Sequence, residues 1–70
     1  MGRAAVRVGA RIRDLRVGAD LSQEVLGRPY LTRGAVSRIE SGASAPSLKT
    51  LVHFARVLGT RVRDLIPPDL

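Results

Sequence analysis

Arg33 and Arg38 lie within the segment Thr32-Arg33-Gly34-Ala35-Val36-Ser37-Arg38-Ile39-Glu40-Ser41, where the other outward polar side chains are small. A guanidinium is a planar fork of N–H donors that matches a phosphate, or the O6 and N7 edge of guanine, two bonds at a time. On a helical wheel Ala35, Val36 and Ile39 share one side. Gly34, Ser37 and Ser41 share the other, with Arg33 and Arg38 at its edges. A helix that is small in the middle of one face and cationic at its rims can approach base edges closely in a groove about 12 Å wide. The chemistry implied is recognition, not bond making.

The rest of the chain offers little for catalysis. His53 falls on the outer side of its own helix with no second histidine or carboxylate cluster beside it in sequence, so it reads as a surface histidine. Asp14, Glu24 and Asp64 read as helix-surface charges, since carboxylates without a nucleophile or partner base make no reaction. Absence of cysteine excludes disulfides and thiolate zinc sites. The expectation is a non-enzymatic chain with no metal and no cofactor.

Twelve basic residues stand against six acidic ones, a net charge of +6, and every basic residue except Lys49 is arginine. That balance fits a polyanionic partner; it also fits a coding bias toward arginine, and composition alone does not separate the two. Seventy residues make one domain, residues 1–70, with a thin core and no room for an enclosed catalytic cavity. No apolar run approaches the ~18 residues of a membrane span. The segment Met1 to Arg7 lacks the apolar stretch of a secretory leader, so the chain reads as cytoplasmic.

Five short helices are expected to carry these residues in an all-α fold. Val8, Ile12 and Leu15 form one stripe of a first helix running from Ala4 or Ala5 to Val17 and broken by Gly18 and Asp20. Ser22 caps a second helix that Gly27 and Pro29 cut short. Thr32 caps the third, which ends at Gly42, and the loop Ala43 to Pro46 follows. Ser47 caps a fourth with the core stripe Leu48, Leu51, Val52, Ala55 and Leu58, ending at Gly59. A fifth turn, Val62 to Ile66, stops at Pro67-Pro68. Residues 1–4 and 67–70 are expected to be loose tails.

These pieces together resemble the XRE-type, phage-repressor and Cro-like helix-turn-helix proteins. The resemblance spans Val8 to Ile66. It rests on Val-Gly-Ala-Arg-Ile-Arg-Asp-Leu-Arg in the first helix, Leu-Ser-Gln-Glu at Leu21 to Glu24, the Thr32 to Gly42 segment, and Pro-Ser-Leu-Lys-Thr-Leu at Pro46 to Leu51. It implies a lambda-repressor-like domain whose second and third helices form the motif. It further implies DNA contacts from Gln23 to phosphate and base, and from Thr32, Arg33, Gly34, Ser37 and Arg38 as reading positions, with Arg33 and Arg38 foremost. Ser44 and its neighbours would meet phosphate through backbone N–H groups, and Arg16 and Glu40 would form a structural ion pair. One departure stands out: Gly27-Arg28-Pro29-Tyr30-Leu31 is about one residue shorter than the family's turn and has Tyr30 where glycine is expected. Arg28 and Tyr30 at its edge are candidate phosphate contacts.

Three functional readings follow. The first is a sequence-specific regulator of transcription, acting as a repressor on double-stranded DNA in the nucleoid. It would be a homodimer through the helix 4 to helix 5 region, where Phe54, Val57 and Ile66 form an apolar rim. The second is an antitoxin-type interaction module with a protein partner and autoregulatory DNA binding. The third is a basic domain that binds nucleic acid by charge alone.

Overall fold

The computed structural model describes residues 2–70 and is all-helical. Four α-helices, α1 (Arg3–Gly18), α2 (Gln23–Gly27), α3 (Arg33–Glu40) and α4 (Leu48–Leu58), precede one 3-10 turn, Val62–Leu65. The fifth helix of the sequence reading is therefore not α-helical. The Asp64 N–H donates to the Arg61 carbonyl three residues back, the Asp64 carboxylate accepts from the Arg61 N–H (2.9 Å), and the prolines beyond forbid a further turn.

Three of the α-helices start on a side-chain oxygen that satisfies an otherwise orphaned N–H of the first turn. Ser22 accepts from Val25, Thr32 from Ala35 and Ser47 from Thr50, each at 3.1 Å. Helix α1 begins at Arg3 after Gly2, with no side-chain cap. Of the expected tail 1–4, Met1 lies outside the described residues. At the other end, Leu70 N–H bonds the Pro67 carbonyl and Asp69 pairs with Arg7 on α1.

Phe54, Ile12, Leu26, Leu65 and Val36 are fully buried, with Val8, Ile39 and Ala55 beside them, so every helix contributes to one core. The expected stripe on α4 is rotated. Leu48 is 71% exposed while Phe54 is 0% exposed, and the buried face runs through Leu51, Phe54, Ala55 and Leu58. Both stripes have helical period; the one that hides the largest apolar side chain wins, because burying phenylalanine stabilises by roughly 1.5–3 kcal/mol. Phe54 therefore leaves the set of candidate dimer residues, whereas Val57 and Ile66 remain half-buried.

Two glycines set how closely α1 approaches α3. A Cβ on Gly9 would run into the carbonyl oxygens of Ile39 and Glu40, so only glycine admits that helix contact. Gly42, at φ +82°, ends α3 in the left-handed region, and a Cβ there would lie 2.7 Å from Val6 Cα. The C-terminal end of α3 is thus seated directly against α1.

Candidate nucleic-acid interface

Helices α2 and α3 are joined by the short segment Arg28 to Thr32, which closes on a single acceptor. The N–H groups of Tyr30 and Leu31 both donate to the Gly27 carbonyl (3.0 and 2.8 Å). Leu31 turns into the core and Tyr30 turns out, 75% exposed. The turn delivers Thr32 as the cap of α3. The Tyr30 ring rests edge-on to His53 (5.1 Å between centroids).

At the cap and along α3 the residues Thr32, Arg33, Gly34, Ser37 and Arg38 are all exposed, whereas Val36, Ile39 and Glu40 are buried. Thr32 Oγ1 is engaged as the cap. Arg33 and Ser37 share an open cleft with Arg13, Gln23 and Ser41, between the start of α2 and the outer face of α3. Arg38 lies further along, and its Nε donates to Ser44 Oγ (3.3 Å). Ser44 has its backbone N–H bonded to the Arg38 carbonyl (3.1 Å), so that N–H is not free for phosphate. Arg28 pairs with Glu24 on the preceding turn (2.8 Å), both exposed, a contact weak enough to yield to a phosphate.

Behind this face lies a polar hub. The Glu40 carboxylate, with 3% of its side chain exposed, accepts from Arg16 Nε (2.6 Å) and Nη2 (3.0 Å) and from Gln23 Nε2 (3.0 Å). Arg16 Nη1 also donates to the Leu21 carbonyl (2.8 Å). One carboxylate therefore ties α1, α2 and α3 together. The hydrogen bond with Glu40 is the main cause that raises the Arg16 pKa above its ordinary value, against a partial loss of solvation. A carboxylate can only accept, so it also fixes which end of the Gln23 amide faces inward. The acid of α3 is consequently neutralised inside the protein, and no carboxylate stands on its outward face.

His53 is not a free surface histidine. It is half-buried, and its Nε2 lies 2.9 Å from the Leu26 carbonyl, joining α4 to the end of α2. The helix period alone does not show this, because the link needs the α2 carbonyl to arrive from another part of the chain. The contact of Gln23 with Glu40 was equally invisible. Gly9 offered a signal: a glycine beside buried Val8 in an amphipathic helix marks close backbone approach. Among the described residues no three His, Asp or Glu side chains cluster as metal ligands, and no helix is long and apolar enough to cross a membrane.

The helix-turn-helix domain family matches residues 7–67 of this sequence, nearly its whole length. The chain belongs to that family. Solved structures of transcriptional regulators share its architecture. The restriction-modification controller protein C.AhdI from Aeromonas hydrophila is 35% identical, with a TM-score of 0.84 over 89% of this chain and 96% of that one. The BldD DNA-binding domain of S. venezulae is 26% identical, with a TM-score of 0.83 over 94% of this chain and all of that one. PlcR of Bacillus thuringiensis, solved with the peptide PapR7 and DNA, is 34% identical with a TM-score of 0.81; the likeness covers 87% of this chain but only 22% of PlcR. No curated protein sequence matches the chain. With its family and these neighbours, the helix-turn-helix chain is a DNA-binding regulator of transcription.

Proposed function

We propose that the protein lays α3 in the major groove of double-stranded DNA and represses transcription by occluding its operator. Thr32, Arg33, Gly34, Ser37 and Arg38 read the groove, and Gln23 and Arg28 sit at its phosphate edge. The observation that carries this reading is the outward face of α3: two arginines flank small side chains, and its glutamate is turned inward and paired with Arg16. Such a face meets a polyanion with the carboxylates at its edge, Glu24 and Glu40, each paired with an arginine, and lets the backbone come near base edges. It acts as a homodimer, because one module of this size buries too little surface for tight specific binding. Two-fold helix-turn-helix dimers place their reading helices roughly 34 Å apart. Val57 and Ile66 are the half-buried apolar residues that a partner subunit would cover. Its place is the cytoplasm, on the nucleoid.

A binding selection from random duplexes with the full chain tests the reading. A defined half-site should emerge, and Arg38→Ala should relax one position of it by about 1–3 kcal/mol, whereas Arg28→Ala should weaken all duplexes alike. Equal affinity for selected and random duplexes, with the same salt slope, would leave only a charge-driven binder. Sedimentation of the protein free and on the selected duplex checks the dimer; a single protomer per complete site overturns it.

A further inference from the structure

The loop that follows α3 folds back on Arg38 twice. At the backbone, the Ser44 N–H and the Ser41 hydroxyl both donate to the Arg38 carbonyl, each at 3.1 Å. At the side chain, Arg38 Nε donates to Ser44 Oγ at 3.3 Å. Ser44 is half-buried and held by its own backbone, whereas Arg38 is exposed. A hydroxyl on an anchored backbone therefore stands beside a long side chain that would otherwise sample many rotamers.

Which donor is taken decides what the rest can read. With Nε engaged, the free edge of the guanidinium is its Nη1–Nη2 end, a planar pair of donors spaced for the O6 and N7 acceptors of guanine. Adenine presents one acceptor and one donor at the same edge, so the same fork meets an N–H with an N–H. Arg33 differs, since its guanidinium makes no side-chain hydrogen bond among the described residues.

We propose that Ser44 is a positioning residue that pins Arg38 through Nε and so makes Arg38, rather than Arg33, the guanine reader of the site. Its backbone N–H, engaged by the Arg38 carbonyl, has no part in holding phosphate. This rests on the reading that α3 enters the major groove.

The experiment uses the full chain and the duplex obtained by selection, with each guanine of the half-site replaced in turn by adenine or by 7-deazaguanine, which lacks the N7 acceptor. Arg38→Ala identifies the guanine that Arg38 reads, as the position where the base no longer matters. Ser44→Ala should lower discrimination at that same guanine about tenfold, within the range for one side chain and one base. It should leave affinity for random duplex and its salt slope unchanged, and Ser44→Thr, which keeps the hydroxyl, should restore discrimination. Added to Arg38→Ala, Ser44→Ala should change nothing further at that guanine. Uniform weakening on every duplex with a shallower salt slope would instead make Ser44 a phosphate contact and overturn the proposal. So would unchanged discrimination in Ser44→Ala while Arg38→Ala loses its guanine; in that case the groove-reading helix stands and the pin falls. Loss of no guanine preference in Arg38→Ala would overturn the proposal; if Arg33→Ala also loses none, the groove-reading helix falls with it. Thermal unfolding of each variant by circular dichroism confirms that the substitutions, at residues outside the core, leave the fold intact.

Discussion

The same short helices are held together in two unlike ways. Around Phe54 the contact is apolar: Ile12, Leu26, Val36 and Leu65 surround a ring with no exposed surface. Around Glu40 it is polar: two donors from Arg16 and one from Gln23 converge on one buried carboxylate. Apolar burial is strong but loose in direction, since it scales with area. Charge-assisted hydrogen bonds are directional, and in this protein they join the three helices that present the reading face. The core supplies stability, and the hub sets where α3 points.

The largest effect expected is on the apolar side. Phe54→Ala should lower unfolding free energy by about 3–5 kcal/mol, measured by urea denaturation. That is a large part of the roughly 5–15 kcal/mol a domain possesses, so both stability and DNA binding should collapse together. A loss below about 1 kcal/mol would mean that Phe54 does not centre the core.

Next comes the hub. Glu40→Ala strands Arg16, whose side chain is only 13% exposed, and should cost about 3 kcal/mol. Replacing both, Arg16→Met with Glu40→Met, should recover most of that stability, because apolar side chains of similar volume often equal a buried ion pair. Specific DNA affinity should not recover with it, since the hydrogen bonds that orient α2 and α3 stay absent. Recovery of both together would show that the hub contributes stability alone and would erase the contrast between the two regions.

The smallest effect lies at the surface. Arg7 bonds the Asp69 carboxylate and holds its pKa below the ordinary value. A carboxyl whose folded pKa is depressed adds stability above its unfolded pKa and loses it as pH falls through the folded one. Asp69 is fully exposed, so Asp69→Asn should leave the melting temperature near that of the parent at neutral pH, with any difference vanishing in acid. A clear drop at neutral pH would make this tail a third structural region rather than a surface contact.

Local features were legible in sequence. Ser22, Thr32 and Ser47 cap where a hydroxyl residue precedes an apolar period, because the capping bond spans three residues and needs nothing from elsewhere. The exposed arginines and small residues of α3 could be placed by period alone for the same reason. Helix α4 shows the limit. Leu48 and Phe54 belong to two overlapping stripes of equal period, and only the arrival of α1 and α2 decides that Phe54 is covered and Leu48 is not. The last turn was readable as a helical piece bounded by prolines, but its tighter 3-10 winding came from the Asp64 and Arg61 bonds.

For the interface, the sequence by itself determined which side chains α3 exposes, since three-residue caps and a helical period are properties of neighbouring residues. Tertiary structure alone decided how those side chains are held. Glu40, whose pairing with Arg16 the family resemblance already implied, also meets Gln23 across α2 and α3, and His53 meets the end of α2. These bonds act over less than a few ångströms, while their partners lie up to 27 residues apart along the chain, and only the packed core brings them within reach.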